Sequence, residues 1–299
     1  MLLQRTMAAL FGLPVLFALL WLNWFLRMRG STDDLILLLI VLIMAGVCGW
    51  EASHVVRHRF PQAASWHGLY AALLIPFLVH AVRPAFDGMP PVPPVGSLAL
   101  LFDSLGATAM LMLLFLGVWA DIEQRGREGA LENLYAVGAG LYLGVTTSFL
   151  LLLGEMPAHE VAVVLVFVAV FALDTFAYFG GKSVGGALMA PTISPKKTWS
   201  GAIIGLVGAC LLCLVFTKLP AAPHAARLGD LVPWWGFLLI GVAVGIVGQM
   251  GDLLESAFKR WGQVKDSGMV LPGHGGLLDR FDSLFLAAPV CYLILLYFM

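Results

Sequence analysis

The sequence predicts an all-α integral membrane protein, a polytopic bundle of about nine transmembrane helices. Of its 299 residues, 60% are hydrophobic and only 12% are charged, and the mean hydropathy is +0.92. Soluble domains carry roughly a quarter charged residues, and a core of this size could not hide so much apolar surface from water. The apolar runs are also too long and too unalternating for the strands of a membrane barrel, which leaves helices.

Nine apolar runs approach the ~20 residues that a helix needs to cross a bilayer core. They cover residues 7–26, 35–52, 68–83, 98–120, 133–154, 160–180, 200–219, 234–256 and 282–298. Pro76 and His80 interrupt the third run, and Asp103 lies near the start of the fourth. The series contains no repeat and no soluble insertion, so we expect a single membrane domain over residues 1–299.

The distribution of Lys and Arg predicts a cytoplasmic N-terminus. With that orientation, 12 of the 17 cations lie in inside segments and five lie in outside loops. The excess comes from the last two inside loops, where an active site would also concentrate cations. The net charge of −1 provides no basic field, which excludes nucleic acid as a partner class.

Polar residues concentrate where the eighth predicted helix ends and the ninth begins. Asp252, Glu255, Ser256 and Lys259 lie at i, i+3, i+4 and i+7, which places them on one helix face. The chain continues with further charged residues at Arg260, Lys265, Asp266, Asp279, Arg280 and Asp282. Charge at membrane helix ends is expensive, so these residues are candidates for function.

The glycine-rich segment between these two helices has the composition of an anion-binding loop. Gly273, Gly275 and Gly276 permit close backbone approach and precede a helix N-terminus, where N–H groups favour phosphate. We expect His274 to contact a phosphate in preference to acting as a base. Snorkelling charges and helix caps would explain two or three charged residues, but not the whole cluster.

Carboxylates and cations in this region suit metal-dependent phosphate chemistry. Asp252 and Asp279 offer the oxygen ligands that Mg²⁺ prefers beside substrate phosphates. The cations that can neutralise a triphosphate are Lys259, Arg260, Lys265 and Arg280.

A second polar cluster follows the sixth predicted helix. Asp174 and Tyr178 share a face near its inside end, and the loop that follows contains Lys196 and Lys197. These lysines can bind phosphate or an anionic headgroup. Ser194 or Thr198 can cap the seventh helix. The simpler interpretation of these residues alone is a positively charged inside loop.

The first cluster contains an extended motif, Ser256-x-Phe258-Lys259-Arg260-x4-Lys265-Asp266-x-Gly268-x2-Leu271-Pro272-x-His274-Gly275-Gly276-Leu277-x-Asp279-Arg280-Phe281-Asp282. It resembles the signature of the phosphatidate cytidylyltransferase family, also called CDP-diacylglycerol synthases. The stretch from Asp174 to Gly201, with its core from Ser194 to Trp199, is similar to a second region of that family, although Ser200 stands where the family usually has Glu. The resemblance is strong over residues 170–285, within the catalytic helices and loops of 160–299. The helices of 1–155 match by hydropathy and length.

The resemblance implies transfer of CMP from CTP to phosphatidate in a membrane, with release of pyrophosphate. It implies Mg²⁺, with K⁺ as a candidate second cation, and Asp252 and Asp279 as the metal ligands. The implied catalytic residues are Asp252, Lys259, Arg260, Lys265, Asp266, His274, Asp279, Arg280 and Asp282. The implied substrate-binding residues are Asp174, Tyr178, Ser194, Lys196, Lys197, Thr198, Ser256, Gly275 and Gly276.

The partners implied are CTP, phosphatidate and membrane lipids, and the sequence leaves a homodimer open. The short chain favours a bacterial inner membrane, with the active site on the cytoplasmic face.

Two other functions remain open from the residues. A CTP-dependent lipid kinase of the polyprenol type would use similar metal and phosphate groups, but the full motif argues against it. An ion-coupled transporter could use Asp174, Asp252 and Asp279, but these acids lie at inside helix ends and the sequence shows no inverted repeat.

Overall fold

A computed structural model of the chain describes residues 18–22, 35–63, 66–82, 98–156, 159–218, 227–268, 270 and 275–299. Most of these residues are helical, as the sequence predicts. The principal helices are α1 (Leu35–Arg59), α2 (Trp66–Val82), α3 (Leu98–Leu153), α4 (His159–Val184), α5 (Trp199–Val215), α6 (Leu228–Leu231), α7 (Trp234–Trp261) and α8 (Leu278–Phe298). Strands β1 (Leu188–Ala190) and β2 (Ser194–Thr198) form an antiparallel hairpin between α4 and α5.

Six of these helices are long and apolar enough to cross a membrane, and α2 is a shorter apolar helix. The second to ninth predicted spans all coincide with helical segments, which confirms the membrane fold class. Of the first predicted span, 7–26, only residues 18–22 are described, and they are helical. The predicted cytoplasmic N-terminus lies outside the described residues.

The fourth and fifth predicted spans belong to one kinked helix, α3. We expected a loop over residues 121–132, but helical structure continues on both sides of Gly126. Gly126 has φ 61° and ψ −143°, a conformation that side chains with a Cβ rarely adopt. The predicted break is therefore a bend at a single residue.

One ion pair and one hydrogen bond bridge the two arms of α3 across this bend. Arg125 Nη1 lies 2.7 Å from Glu132 Oε2, and Arg125 Nη2 lies 3.4 Å from Asp121 Oδ1. The Asn133 side chain donates a hydrogen bond to Asp121 Oδ2. His67, at the start of α2, places Nε2 3.6 Å from the same oxygen. Polar residues that hydropathy assigned to a loop thus stabilise a helical bend.

The chain divides into two compact units, residues 1–151 with 261–278, and residues 152–260 with 279–299. In the first unit, α1 and α2 approach closely, since a Cβ on Gly49 would stand 2.6 Å from the Gly68 carbonyl oxygen. Ser53 Oγ donates to the Gly49 carbonyl (3.0 Å) and accepts from the Gly68 N–H (3.1 Å). Small residues and interhelical hydrogen bonds are the usual means of packing helices in lipid.

In the second unit, small residues bring α4, α5, α7 and α8 together. A Cβ on Gly201 of α5 would stand 2.7 Å from the Ala177 carbonyl oxygen of α4. A Cβ on Gly251 of α7 would stand 2.6 Å from the Asp282 carbonyl oxygen of α8. The backbones of α7 and α8 are therefore close beside Asp252 and Asp282, two of the predicted site residues.

Candidate active site

Three helices of the second unit each contribute an aspartate to one cluster, and strand β2 contributes a lysine. We call this cluster the Asp252 group; it consists of Asp174 of α4, Asp252 of α7, Asp282 of α8 and Lys197 of β2. Lys197 Nζ lies 2.6 Å from Asp252 Oδ2, and both side chains are partly buried. Asp174 and Asp282 lie within electrostatic range of Asp252.

Ser283 connects two of these aspartates. Its backbone N–H donates to Asp282 Oδ1 at 2.6 Å, and its hydroxyl donates to Asp174 Oδ1 at 3.5 Å. Asp282 itself is 8% exposed. The structure thus gathers acids that the sequence places up to 108 positions apart into one site.

A second cluster, the Lys259 group, consists of Glu255, Lys259 and Asp279. Lys259 Nζ lies 2.6 Å from both Glu255 Oε2 and Asp279 Oδ1. The side chains of Glu255, Lys259 and Asp279 are 5%, 15% and 8% exposed. One ammonium group therefore bridges acidic side chains from two helices, which connects the start of α8 with the end of α7.

Two further predicted residues contact this region from α7. The Ser256 hydroxyl donates to Asp252 Oδ1 at 3.4 Å, so the predicted polar face of α7 is present. Arg260 Nε donates to the Ile193 carbonyl at 3.2 Å, which connects the end of α7 with the turn of the β-hairpin. Arg280 lies within electrostatic range of Asp174.

The hairpin residues have mainly structural contacts in this structure. Thr198 Oγ1 accepts from the Gly201 N–H at 3.1 Å, which confirms it as the N-cap of α5; Ser194 lies in β2. Ser200, in the position where the family usually has Glu, donates to the Gly185 carbonyl and lies 3.0 Å from Thr198 Oγ1. Its hydroxyl therefore joins the end of α4 to the start of α5.

Two substrate-binding candidates are exposed. Lys196 is exposed on β2, and Tyr178 of α4 is 63% exposed, with Lys182 Nζ 5.9 Å from its ring centroid. Their assignment to substrate stays a prediction.

The glycine-rich segment belongs to the first unit. Lys265 and Asp266 are exposed there, and His274 lies outside the described residues. Gly275 has φ 83°, and a Cβ on Gly276 would stand 2.1 Å from Ser267 Oγ. Backbone conformation at Gly275 and close packing at Gly276 are thus sufficient reasons for these glycines, and phosphate binding by this loop stays a prediction.

Glu51, a buried acid of α1 that was not among the predicted site residues, accepts hydrogen bonds from the backbone at the start of α8. Glu51 Oε1 accepts from the Leu277 N–H at 3.0 Å, and Oε2 accepts from the Leu278 N–H at 2.8 Å. A signal was available, since an acid inside an apolar helix is a candidate for function by its cost alone. Glu255 was predicted only as part of the polar face of α7. It was not among the predicted site residues, because its proximity to Asp279 is not visible in the sequence.

The donor chemistry of the two groups fits a divalent cation bound together with substrate. Among the described residues, no three His, Cys, Asp or Glu side chains form a ready metal cage. Mg²⁺ typically takes one or two carboxylates and completes its shell with water and substrate phosphates. The Asp252 and Lys259 groups together contain five acidic side chains and two lysines, and the acidic side chains offer oxygen ligands for such a cation. That Asp252 and Asp279 share a metal stays a prediction.

Comparison with known proteins identifies the family. The sequence model of the cytidylyltransferase family matches residues 3–298. A phosphatidate cytidylyltransferase of Rickettsia bellii is 37% identical over 161 residues, which cover 54% of this chain and 69% of that protein. A phosphatidate cytidylyltransferase of Brucella abortus is 44% identical over 157 residues, 52% of this chain and 55% of that protein; the chain thus spans about half the length of this relative. The chain belongs to the cytidylyltransferase family.

Proposed function

We propose that this protein transfers CMP from CTP to phosphatidate, giving CDP-diacylglycerol and pyrophosphate. The observation that supports the proposal is the match to the cytidylyltransferase family. The matched residues include those of the Asp252 group and the Lys259 group. The similar proteins of Rickettsia and Brucella bear the name of this activity.

The reaction is a displacement at phosphorus. A phosphate oxygen of phosphatidate attacks the α-phosphorus of CTP, and the bond from that phosphorus to the β-phosphate bridging oxygen breaks. Pyrophosphate carries away the electron pair. Because the nucleophile is already an anion, the reaction requires positioning and neutralisation of charge more than a strong base.

The residues of the two groups support these tasks. Lys197 and Lys259 are partly or largely buried ammonium groups, and a desolvated cation interacts with phosphate more strongly than one in water. When substrate binds, each ammonium group gives up its contact with a carboxylate and contacts a phosphate oxygen instead. Mg²⁺, when bound, would supply further neutralisation of the CTP phosphates, and we propose Asp252 and Asp279 as its ligands.

We propose a location for the site at the cytoplasmic face of a bacterial inner membrane. CTP is soluble and phosphatidate is a lipid, so the two substrates meet only at the membrane interface. The cation distribution favours the inner side for the β-hairpin and for the segment after α7.

A labelling experiment tests the reaction against the lipid-kinase alternative. Purified protein in detergent would receive phosphatidate, Mg²⁺ and CTP labelled either at the α- or at the γ-phosphate. We expect the α-label to enter lipid and the γ-label to appear in pyrophosphate. In a parallel reaction with a polyprenol in place of phosphatidate, transfer of the γ-label to lipid with release of CDP from CTP would establish the kinase. Solute transport without CTP consumption would overturn both enzymatic functions.

A further inference from the structure

Glu51 is a fully buried carboxylate within the apolar helix α1, with 0% exposure. Its two oxygens accept the backbone N–H groups of Leu277 and Leu278, as described above. The Ser267 hydroxyl adds a longer contact of 3.4 Å to Oε2. A carboxylate that accepts at both oxygens offers what a helix N-terminus needs, since the first N–H groups of a helix have no partner within it.

Two glycines pack closely against the Glu51 carboxylate. A Cβ on Gly268 would stand 2.5 Å from Oε1, and a Cβ on Gly276 would stand 2.6 Å from Oε2. One helical turn further along α1, a Cβ on Gly262 would meet Val55 Cγ1 at 2.5 Å. One face of α1 thus contacts the segment 262–278 at both of its ends.

Aromatic packing holds the beginning of the same segment. The Trp261 ring lies 5.9 Å from the Phe60 ring and 5.2 Å from the Tyr135 ring, measured between centroids. Aromatic contacts therefore hold Trp261, the residue that precedes the segment 262–278, and a buried charge holds the last two residues of the segment.

We propose that Glu51 is a positioning residue for the transfer reaction, which fixes the backbone of Leu277 and Leu278 and thereby the first turn of α8. This inference rests on the proposed function. Leu278 is the first residue of α8, and Asp279 and Asp282 follow it as the second and fifth. The direction in which the first turn of α8 begins sets where these two carboxylates point. Sub-ångström errors in such placement reduce turnover strongly.

Glu51→Gln tests the inference with almost no change of shape. A glutamine can accept one of the two N–H groups, but its NH2 group would face the other N–H as a second donor. We expect kcat to fall by about 10–100-fold, the range typical when a supporting residue of a site is lost. We expect the KM for CTP to change little. Glu51→Asp keeps the charge but shortens the side chain, so it should recover part of kcat.

Ser53→Ala is the matched control. Ser53 is also fully buried in α1, and its hydroxyl contacts Gly49 and Gly68, not the segment 262–278. If Ser53→Ala loses kcat as Glu51→Gln does, the effect belongs to helix packing and the inference fails. If Glu51→Gln is not obtained folded, Gly268→Ala displaces the same carboxylate from the opposite side, with the same expected loss of kcat.

Hydrogen–deuterium exchange provides a readout that is independent of catalysis. In Glu51→Gln, peptides that cover residues 275–280 should exchange faster than in the wild type, whereas in Ser53→Ala they should not. Unchanged exchange would overturn the inference even if activity fell. If the wild type makes no CDP-lipid but Glu51→Gln still accelerates this exchange, the proposed function fails while the structural role of Glu51 stands.

Discussion

At the scale of single residues, the site contains fewer lysines than acidic side chains, and its ion pairs differ in burial. Lys259 contacts two carboxylates that are almost fully buried, whereas Lys197 contacts one carboxylate, and that pair is about a quarter exposed. Removing one member of a buried ion pair leaves an uncompensated charge, while exposed pairs contribute little. The two lysines should therefore differ in their importance for stability.

We predict that Lys259→Met lowers the free energy of unfolding by about 3–5 kcal/mol. Lys197→Met should lower it by less than Lys259→Met does, because Lys197 contacts a single carboxylate and that pair is about a quarter exposed. Denaturation in mixed detergent micelles, followed by circular dichroism, measures both. The neighbouring Lys196→Met, at an exposed position, is the control. If the two variants lose the same free energy of unfolding, the burial of an ion pair does not determine its contribution to stability here.

Asp279→Asn should lower kcat by at least about 100-fold, the scale of losing one electrostatic group in an active site. The fold should remain, because Lys259 keeps Glu255 as its counter-ion. Steady-state CMP transfer and a thermal melt in detergent together measure these effects.

Asp230→Asn is the control for that substitution, since Asp230 is an exposed acid of α6 outside both groups. Near-normal turnover of Asp279→Asn would exclude Asp279 as a metal ligand.

At the scale of helices, the close approach of α7 and α8 determines the geometry between Asp252 and Asp282. Gly251→Ala would place a Cβ 2.6 Å from the Asp282 carbonyl oxygen, a backbone atom that can move only with its helix. We predict a loss of stability of about 1–3 kcal/mol, as in other overpacked cores, together with a loss of turnover. Thermal melts and CMP transfer assays test both effects.

Gly138→Ala is the matched control for helix packing. Gly138 is an exposed helical residue of α3, and an added Cβ would find no atom within 4 Å. Replacing an unconstrained helical glycine stabilises by about 0.5–1 kcal/mol. If Gly251→Ala and Gly138→Ala have the same effect on stability and turnover, the contact between α7 and α8 does not determine these two properties.

Hydropathy predicted these helices well, because a bilayer selects long apolar runs whatever their partners are. The motif around Lys259 also indicated the polar end of α7. The bend at Gly126 was missed, because the polar residues 121–132 have the composition of a loop and their mutual ion pairs are not visible in the sequence. Glu51 was missed for a related reason: its partners lie 216 to 227 residues further along the chain.

At the scale of the whole molecule, the orientation in the membrane is open to direct measurement. All four cysteines, Cys48, Cys210, Cys213 and Cys291, are buried, so the wild type should react little with polar maleimides. Exposed positions on the two predicted sides can therefore be labelled one at a time against a low background.

We predict that Lys196→Cys and Lys265→Cys react with a membrane-impermeant maleimide only from the cytoplasmic side, in inside-out vesicles. Asp230→Cys should react only in right-side-out vesicles, because it lies in a predicted outside loop. Mass spectrometry of the modified protein measures both. The opposite pattern would reverse the predicted topology and move the site to the outer face.

The contact between Glu51 and the start of α8 also has a consequence for biosynthesis. The ribosome makes Glu51 226 residues before Leu277, so its carboxylate enters the bilayer without the N–H groups that will later receive it. An acidic side chain within a membrane helix is costly, and the apolar remainder of α1 must outweigh that cost during insertion. A chain cut before α8 would lack the N–H groups of Leu277 and Leu278 that receive this carboxylate in the complete fold.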